Sequence, residues 1–321
     1  MDLKITLPEH FLEGETRIGY YIAPEMKKVW AVELDLLNEF ARVCAKHKLR
    51  WFVHAGTLLG AVRHHGFIPW DDDIDVVMPR IDYEKLCNLA VDEFTQPYFL
   101  QNEDSDPLFG KVFSKLVNLK TTCLEYSDKD SPSKHCIFID IFPYDHIPDG
   151  DYTRDVFFRK LEKYFKKINS CRHIVQLYEP KTDCSFFKKT KHYFKHLIYK
   201  YVKGRSGNYL TYMKKHLDLA TKYNSCDTSC VGEVLLPPLG RHVWNKEWVD
   251  TVIEMPFEML HVFVPIGYEK CLEGAFGKDW KVPLQVPSMH SGLVFDIDCA
   301  YEDFVKKGLG EVGKANSNSI C

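Results

Sequence analysis

The residues best suited to chemistry are four aspartates within WDDDIDVV, the segment Trp70–Val77. Carboxylates this close repel one another, so a cation is expected among them. Side chains at i and i+2 of a strand share one face, so Asp73 and Asp75 should point together, with Asp71 in the same parity. Carboxylate oxygens suit Mg²⁺ or Mn²⁺. The segment therefore predicts a divalent-cation site with Asp73 and Asp75 as ligands and Asp71 in support.

Asp140 is the third candidate ligand, because it lies between apolar residues in CIFIDIFP. An unpaired carboxylate within a buried strand costs several kcal/mol, so Asp140 should meet a cation or act on a proton. The alternative is an ordinary strand-end aspartate that caps a turn before Pro143. Lys115, in the preceding predicted hairpin, is a further candidate for contact with a phosphate group.

A turn at Gly56 and Thr57 precedes the aspartates and opens a short helix. Free N–H groups at a helix start can receive a phosphate, and glycine permits close approach of the backbone. Many β-to-α turns share this pattern, so the turn gains meaning only beside the aspartates. Arg63 and His64, near the end of the same helix, are candidate phosphate ligands or, alternatively, a surface pair.

Hydrophobic periodicity predicts alternating helices and strands around these residues. The predicted elements are helices over residues 26–48 and from 82 onward, strands over 51–55, 74–78 and 137–142, and a hairpin over 111–124 with its turn near Asn118. Pro143 is expected to end the last strand. The first helix is expected to pack through an apolar stripe, with Lys27, Glu33 and Asp35 off that stripe and outside the chemistry. The expected fold class is α/β (α+β), with a mixed sheet flanked by helices.

Length and composition predict one catalytic core that carries an insertion. The chain has 321 residues, 45% of them hydrophobic and 27% charged, which excludes disordered and low-complexity proteins. We predict a core over residues 1–150, a basic and mostly helical insertion over 151–231, and a segment over 232–321 that completes the core.

The predicted insertion concentrates positive charge. Residues 151–225 hold 18 Lys and Arg and 6 Asp and Glu, a local excess of 12 positive charges. Such a stretch suits an anionic membrane surface, a nucleic acid or a phosphate-rich polymer, or it is simply a solvated helical face. Because no nucleic-acid-binding motif accompanies it, a nucleic-acid partner is disfavoured.

The expected compartment is the cytoplasm. No stretch approaches the roughly 18 apolar residues of a membrane helix, and the first residues lack the pattern of a signal peptide. Eleven cysteines in no regular framework favour reduced thiols. The C-x3-C pair Cys226 and Cys230 is a weak zinc pattern, since no second tight pair completes it.

Three motifs together resemble the LicD family. The first and most specific is HAGTLLGAVRHHGFIPWDDDIDVVMPR, residues His54–Arg80; the others are FIDIFPYD, residues Phe138–Asp145, and PFEMLHVFVPIGYEKCLEGAFGKDW, residues Pro256–Trp280, followed by His290. The resemblance runs from about residue 29 to residue 298 and is interrupted by the basic stretch. LicD proteins are phosphotransferases that decorate bacterial surface glycans with phosphocholine, and the family includes the animal fukutin and fukutin-related proteins.

The resemblance implies a nucleotidyltransferase-like fold and a CDP-activated donor. Asp73 and Asp75 would then be metal ligands and Asp71 a supporting carboxylate, while Asp140 would be a third ligand or the general base. His290 is the other candidate base. Glu258, Tyr268 and Asp279 also stand at motif positions of the tail, with a scaffold role as the alternative.

The expected reaction is transfer of a phospho-alcohol, foremost phosphocholine from CDP-choline, to a sugar hydroxyl of a surface glycan precursor, with release of CMP. Such a glycan is a lipopolysaccharide or a teichoic acid, and a lipid-linked acceptor would place the protein at the inner face of the membrane. The alternatives are CDP-ribitol or CDP-glycerol as donor, a true nucleotidyltransferase that releases pyrophosphate, and a non-catalytic glycan- or polyanion-binding protein. An aromatic box would favour choline, whereas polar side chains would favour a polyol.

Overall fold

The computed structural model describes residues 2–106, 109–125, 133–176, 206–235, 238–285 and 293–306. The described helices are α1 (Pro24–His47), α2 (Ala55–His64), α3 (Arg80–Glu93), α4 (Asp151–Gln176), α5 (Ser206–Ala220), α6 (Lys246–Val249), α7 (Tyr268–Phe276) and α8 (Tyr301–Lys306). The described strands are β1 (Glu15–Arg17), β2 (Tyr20–Ile22), β3 (Phe52–Val53), β4 (Asp75–Pro79), β5 (Tyr98–Gln101), β6 (Ser114–Asn118), β7 (Thr122–Glu125), β8 (Phe138–Ile147), β9 (Cys230–Gly232), β10 (Val243–Asn245), β11 (Val252–Phe257), β12 (Leu260–Pro265) and β13 (Leu293–Asp296).

The central sheet is mixed and is organised around β8, the longest described strand. β4 runs parallel to β8 on one side, and β3 pairs antiparallel with β4. On the other side, β6 pairs with the first half of β8 and β9 with its end, both antiparallel. β5 and β10 extend the sheet beyond β6 and β9. The predicted α/β class with a mixed sheet is confirmed.

The predicted hairpin over residues 111–124 is wrong. A turn does form after Asn118, where the Thr121 N–H donates to the Asn118 carbonyl. The strands on either side of this turn, however, do not pair with each other. β6 pairs with β5 and β8, whereas β7 pairs with β13 from the end of the chain. Each strand pairs with a strand that is distant in the sequence, so the local pattern predicted the turn correctly but not the strand partners.

Pro143 does not end its strand, so that prediction is also wrong. β8 continues to Ile147, and Pro143 lies opposite Met78 in the parallel register with β4. Proline has no N–H group, so it cannot donate a hydrogen bond to a strand on the side of β8 opposite β4. Here that side is unpaired, because β6 ends at its partner Ile141 and β9 begins at its partner Asp145.

Helix α1 packs against β6 and β8 and matches the predicted helix within two residues. Its polar residues are not in solvent: Lys27, Glu33, Asp35 and Glu39 are all buried. The expectation that α1 only packs through an apolar stripe is therefore wrong. A helix covered on several sides hides its polar residues as well, and these then need partners or a function.

The remaining described elements cover the core around this sheet. β1 and β2 form a short hairpin before α1, and β11 and β12 form a second hairpin that contacts α2 and β3. α4 and α5, in the predicted basic insertion, pack against each other. The division of the chain at residues 150 and 231 stays a prediction. None of the described helices combines the length and the hydropathy needed to cross a lipid bilayer.

Candidate cation and nucleotide site

Three adjacent aspartates form the centre of the site. Asp71, Asp72 and Asp73 each offer a carboxylate oxygen, and these oxygens lie within 4.8 Å of one another. The predicted alternation of Asp71, Asp73 and Asp75 along one strand is wrong, since β4 begins only at Asp75. The preceding residues form an irregular segment, which we call the acidic loop (residues 71–74). Because this segment is not a strand, the side chains of consecutive residues lie together. Asp72 therefore belongs to the cluster, although alternation along a strand would have placed it on the opposite face.

The acidic loop is held in place by bonds to its backbone. The indole Nε1 of Trp30 donates to the Asp71 carbonyl at 3.0 Å, and the Asp140 N–H donates to the Ile74 carbonyl at 2.8 Å. At the end of the loop, the Asp75 N–H donates to Oγ1 of Thr57 at 2.8 Å. Helix α1, strand β8 and helix α2 thus each fix one point of the loop, so that the aspartates keep their close spacing despite their repulsion.

Asp75 and Asp140 are neighbours across the two parallel strands. They are register partners in the β4–β8 ladder, and Lys115 of β6 is the partner of Asp140 on the other side. The Lys115 ammonium lies 3.1 Å from Oδ1 of Asp140 and 2.9 Å from the centre of the Phe138 ring. This approach is an ion pair, although Oδ1 accepts no hydrogen bond.

The electrostatics of Asp75 show how crowded this site is with negative charge. Burial, and then the charges of Asp73, Asp140 and Asp71, raise its pKa well above the usual range, while Lys115 acts in the opposite direction. Burial and like charge both disfavour the ionised form. A bound cation would reverse both effects, so the arrangement is suited to binding one.

Gly56 and Thr57 lie beside the acidic loop, as the sequence suggested, but their contacts differ from those expected. Helix α2 begins at Ala55, and Thr57 is inside its first turn rather than at its cap, with the hydroxyl accepting from Asp75. A β-carbon on Gly56 would stand 2.7 Å from Oδ2 of Asp71. Glycine is therefore needed so that the Asp71 carboxylate can approach the start of α2.

Arg63 and His64 lie at the far end of α2, about 10 Å along the helix axis from Gly56. The Arg63 guanidinium donates to the Trp280 carbonyl at 2.9 Å and to Nε2 of His64 at 2.8 Å. Burial and the charge of Arg63 lower the pKa of His64 to about 4, so His64 is neutral at pH 7. These contacts support a scaffold role, and phosphate binding by the pair stays a prediction.

Glu258 braces the chain that leads into the acidic loop. It accepts hydrogen bonds from Nη1 and Nη2 of Arg17, at 2.5 and 2.9 Å, and from the Phe67 N–H at 3.1 Å. Its carboxylate also passes so close to Gly66 that a β-carbon there would collide with it. Of the other tail residues, Asp279 is exposed, Tyr268 is half-buried, and His290 lies outside the described residues.

Glu33 is the residue that the sequence analysis missed. It lies on α1, is only 2% exposed, and its Oε2 has no hydrogen-bond partner. Burial, and then the charges of Asp73, Asp72, Asp71 and Asp140, raise its pKa well above the usual range. The available signal was its spacing, because Glu33 lies three residues after Trp30 and four before Leu37 and therefore shares their side of the helix.

The donor set fits a hard divalent cation. Every candidate ligand atom is a carboxylate oxygen, and two buried oxygens, Oδ1 of Asp140 and Oε2 of Glu33, accept no hydrogen bond. Among the described residues, the His, Cys, Asp and Glu side chains that lie close enough together to share a metal ion are those of Asp71, Asp72 and Asp73. The predicted ligands Asp75 and Asp140 lie outside this group, as do Glu33 and the cysteines near residues 226–230. Oxygen-only sites of this kind suit Mg²⁺ or Mn²⁺ rather than Zn²⁺.

Comparison with known proteins agrees with this chemistry. Residues 48–190 match the family profile described as LicD/FKTN/FKRP, nucleotidyltransferase domain. Over this range the chain is similar to the LicD family. The resemblance seen in the motifs is thereby confirmed, and the matched LicD range contains the acidic loop, Asp75, Lys115 and Asp140 but not Glu33.

Individual relatives extend the comparison. The chain is 27% identical over 255 residues to the lipopolysaccharide cholinephosphotransferase LicD of Haemophilus influenzae, an alignment that covers 78% of this chain and 89% of that protein. It is also 44% identical over 116 residues to an uncharacterized protein of Rickettsia prowazekii, covering 36% of this chain and 40% of the other.

Proposed function

We propose that the protein transfers phosphocholine from CDP-choline to a hydroxyl group of a cell-surface glycan precursor and releases CMP, with Mg²⁺ or Mn²⁺ as cofactor. The observation that carries the proposal is the set of carboxylates around the acidic loop and Asp140, in a chain similar along 78% of its length to a cholinephosphotransferase. Phosphoryl transfer depends mainly on positioning and on charge stabilisation, which such a site provides.

The residues of the chain have distinct parts in this reaction. Asp73 and Asp75 would hold the cation with Asp71 and Asp72 beside them, and the bound cation would supply positive charge at the diphosphate. The acceptor oxygen forms a bond to the distal phosphorus as the bond from that phosphorus to the bridging oxygen breaks, and CMP leaves with the bridging oxygen. The proton of the acceptor hydroxyl passes to the general base, either Asp140 or His290.

Lys115 would act as a phosphate ligand. Its ammonium already lies beside Asp140 and within a site dominated by carboxylates, and its side chain is largely buried. A lysine so placed can move its charge from the carboxylate to a phosphate oxygen when the donor binds, because ammonium groups bind as flexible point charges. The same movement would release Asp140 for proton transfer.

An aromatic corner beside the acidic loop supports choline as the alcohol. Trp70 precedes Asp71, and its ring meets the ring of Tyr20 edge-on, with centroids 5.9 Å apart and planes at 70°. Both rings are half-buried, whereas Trp51, Trp244 and Trp280 are buried in the core. Aromatic rings attract quaternary ammonium groups through cation–π interaction. The Tyr20–Trp70 corner is therefore the proposed place of the choline headgroup.

Product analysis tests the proposed reaction. The purified protein is incubated with CDP-choline, Mg²⁺ and a lipopolysaccharide that lacks phosphocholine, and the products are followed by ³¹P NMR. The proposal predicts CMP together with a new phosphodiester on the glycan, and none of either with EDTA. Consumption of CTP with release of pyrophosphate would instead identify a nucleotidyltransferase, and turnover of CDP-ribitol or CDP-glycerol alone would identify a polyol transferase.

The non-catalytic alternative is a protein that binds polyanionic glycans through its basic segment. It predicts glycan binding that persists in EDTA and no CMP release with any donor. The clustering of the acidic loop with Asp75 and Asp140 argues against it, because a binding module has no use for a site that repels anions.

The basic segment supports a further element of the proposal, contact with an anionic membrane that carries a lipid-linked acceptor. α4 lies within the stretch with an excess of 12 positive charges. Clusters of Lys and Arg bind anionic leaflets, and salt weakens this binding. Flotation with vesicles that contain 30% phosphatidylserine, at about 50 mM salt, should carry the protein upward, and pure phosphatidylcholine vesicles should not.

A further inference from the structure

Helix α1 presents one of its faces directly to the acidic loop. Trp30 and Glu33 are three residues apart and therefore occupy the same face of the helix. Trp30 donates its indole N–H to the Asp71 carbonyl at 3.0 Å, which fixes this face against the loop. The helix also packs on β6 and β8, the strands that carry Lys115 and Asp140. Glu33 thus lies one turn along from an anchored contact, over the strands of the site.

One oxygen of the Glu33 carboxyl has no partner, among the described residues, that would explain its burial. Oε2 is buried and accepts no hydrogen bond, and the four charges that act most strongly on the group are those of Asp73, Asp72, Asp71 and Asp140. The other buried acids of α1 differ. Asp35 accepts from the N–H groups of Lys4 and Ile5 and from the Tyr98 hydroxyl, and Glu39 pairs with Lys4 and Arg42.

A buried carboxyl oxygen without a hydrogen bond, close to four other carboxylates, does not stabilise the fold by itself. Burial without a partner costs several kcal/mol, and like charges add to that cost. A leucine would fill the same space beside the apolar residues of α1 without either cost. A cation bound within the cluster would therefore explain why a glutamate is buried at this position.

We propose that Glu33 is a further residue of the cation site, and that it binds the divalent cation together with the aspartates of the acidic loop. The helix before the matched LicD range would then contribute directly to the site, and α1 would be linked to cation binding rather than to packing alone. This inference rests on the cation dependence in the proposed function. Its ligand is a hard divalent cation, with Mn²⁺ as the experimental probe.

The test measures cation affinity directly rather than activity. Free Mn²⁺ is quantified by electron paramagnetic resonance during titration of the wild-type protein and of Glu33→Gln, which removes the charge but keeps the shape. Glu39→Gln is the matched control, because Glu39 is a buried glutamate on the same helix that pairs with Lys4 and Arg42. Glu33→Asp keeps the charge on a shorter side chain.

The proposal predicts that Glu33→Gln weakens Mn²⁺ binding by about tenfold or more, a typical loss when a group that supports a metal site is removed. Glu33→Asp should lie between Glu33→Gln and the wild type, and Glu39→Gln should bind Mn²⁺ as the wild type does. In EDTA, Glu33→Gln should melt at or above the wild-type temperature, since a repulsive group is gone. Addition of Mn²⁺ should raise its melting temperature less than that of the wild type.

Wild-type Mn²⁺ affinity in Glu33→Gln, or an equal loss in Glu39→Gln, would overturn the inference. The fate of the proposed function is read separately. If the wild-type protein releases CMP and Glu33→Gln binds Mn²⁺ as tightly as the wild type, the proposed function stands and the role of Glu33 is rejected. If Glu33→Gln loses Mn²⁺ affinity but the wild-type protein transfers no phosphocholine, the role of Glu33 stands and the proposed function is rejected.

Discussion

The two ends of the parallel β4–β8 pair differ in how their charged residues are paired. At one end Asp75 lies beside Asp140, with the acidic loop above them and the Lys115 ammonium as a neighbour. At the other end, about 17 Å along the strands, Arg80 donates two hydrogen bonds to Asp145, at 2.9 and 2.6 Å. A third bond reaches Asp145 from Nδ2 of Asn224, at 2.7 Å.

The difference separates structure from function within one sheet. At the other end Arg80 and Asp145 balance each other's charge, and the Asp145 carboxylate accepts three hydrogen bonds, so this pair holds the fold together. The acidic end has an excess of negative charge and oxygens without hydrogen bonds, so by itself it opposes the fold. Strain of this kind persists at sites that bind a ligand, because the ligand supplies what is missing. Changes at the first end should therefore alter stability, and changes at the second should alter binding and turnover.

The largest expected effect is the loss of the Arg80–Asp145 pair. Arg80→Met leaves the Asp145 carboxylate buried without its cation, which should lower the free energy of unfolding by about 3–5 kcal/mol in urea titrations. Arg50→Met is the control, because Arg50 pairs with Asp82 but is mostly exposed, and it should cost less than about 1 kcal/mol. Equal losses in the two variants would mean that the buried pair has no special role.

At the acidic end, Asp73→Asn should slow turnover strongly, because Asp73 is a proposed cation ligand. Loss of one electrostatic group at a reacting centre should lower the rate of CMP release roughly 10²- to 10³-fold. Asp92→Asn, at an exposed position of α3, is the control and should turn over normally. Full turnover by Asp73→Asn would show that the cation assignment is wrong.

His216 makes the paired end sensitive to pH. Burial, and then the charge of Arg80, lower its pKa to about 4 from an ordinary value of 6.5. Because the folded-state pKa is lowered, the neutral form contributes stability above pH 6.5, and this stability is lost as the pH falls from 6.5 toward 4. The loss should be about 2 kcal/mol at pH 5.

The measurement for this prediction compares unfolding at pH 7 and at pH 5. His216→Met should reduce the loss of stability between the two pH values by about 2 kcal/mol, since no proton then binds to the unfolded chain at this position. His10→Met is the matched control at an exposed position. A His216→Met protein that loses as much stability as the wild type at pH 5 would contradict the prediction.

The smallest expected effect concerns the aromatic corner. Trp70→Leu should weaken CDP-choline binding by about 1–2 kcal/mol through loss of cation–π contact, while CMP binding stays constant. Trp70→Phe keeps a ring and should retain most of the affinity. Calorimetric titration separates these cases, and equal weakening of CDP-choline and CMP would show that Trp70 only supports the loop.

The sequence predicted the class of the fold and the identity of most acidic residues, but not their arrangement. Periodicity located α1, β4 and α3 because apolar spacing reports burial directly. It failed for Pro143 and for the hairpin after Asn118, because strand partners come from distant parts of the chain. The same limit explains the acidic loop, where tertiary contacts through Trp30 override strand alternation.

Glu33 shows the limit of residue patterns for a site. A glutamate on a helix is usually solvated, and its spacing from Trp30 and Leu37 indicates burial but not a site. Only the packing of α1 on β6 and β8 brings it over Asp140 and the acidic loop. Long helices that carry many charges in an otherwise apolar segment are therefore worth testing for buried ligands.

The most direct test of the account is calorimetric titration of the wild-type protein with CDP-choline, CDP-ribitol, CDP-glycerol and CTP, each in Mg²⁺ and in EDTA. The account predicts that CDP-choline binds most tightly and that its binding disappears in EDTA. Equal affinity for CDP-choline with and without Mg²⁺, or failure of every nucleotide to bind, would contradict the claim that the acidic end of the sheet is a cation-dependent donor site.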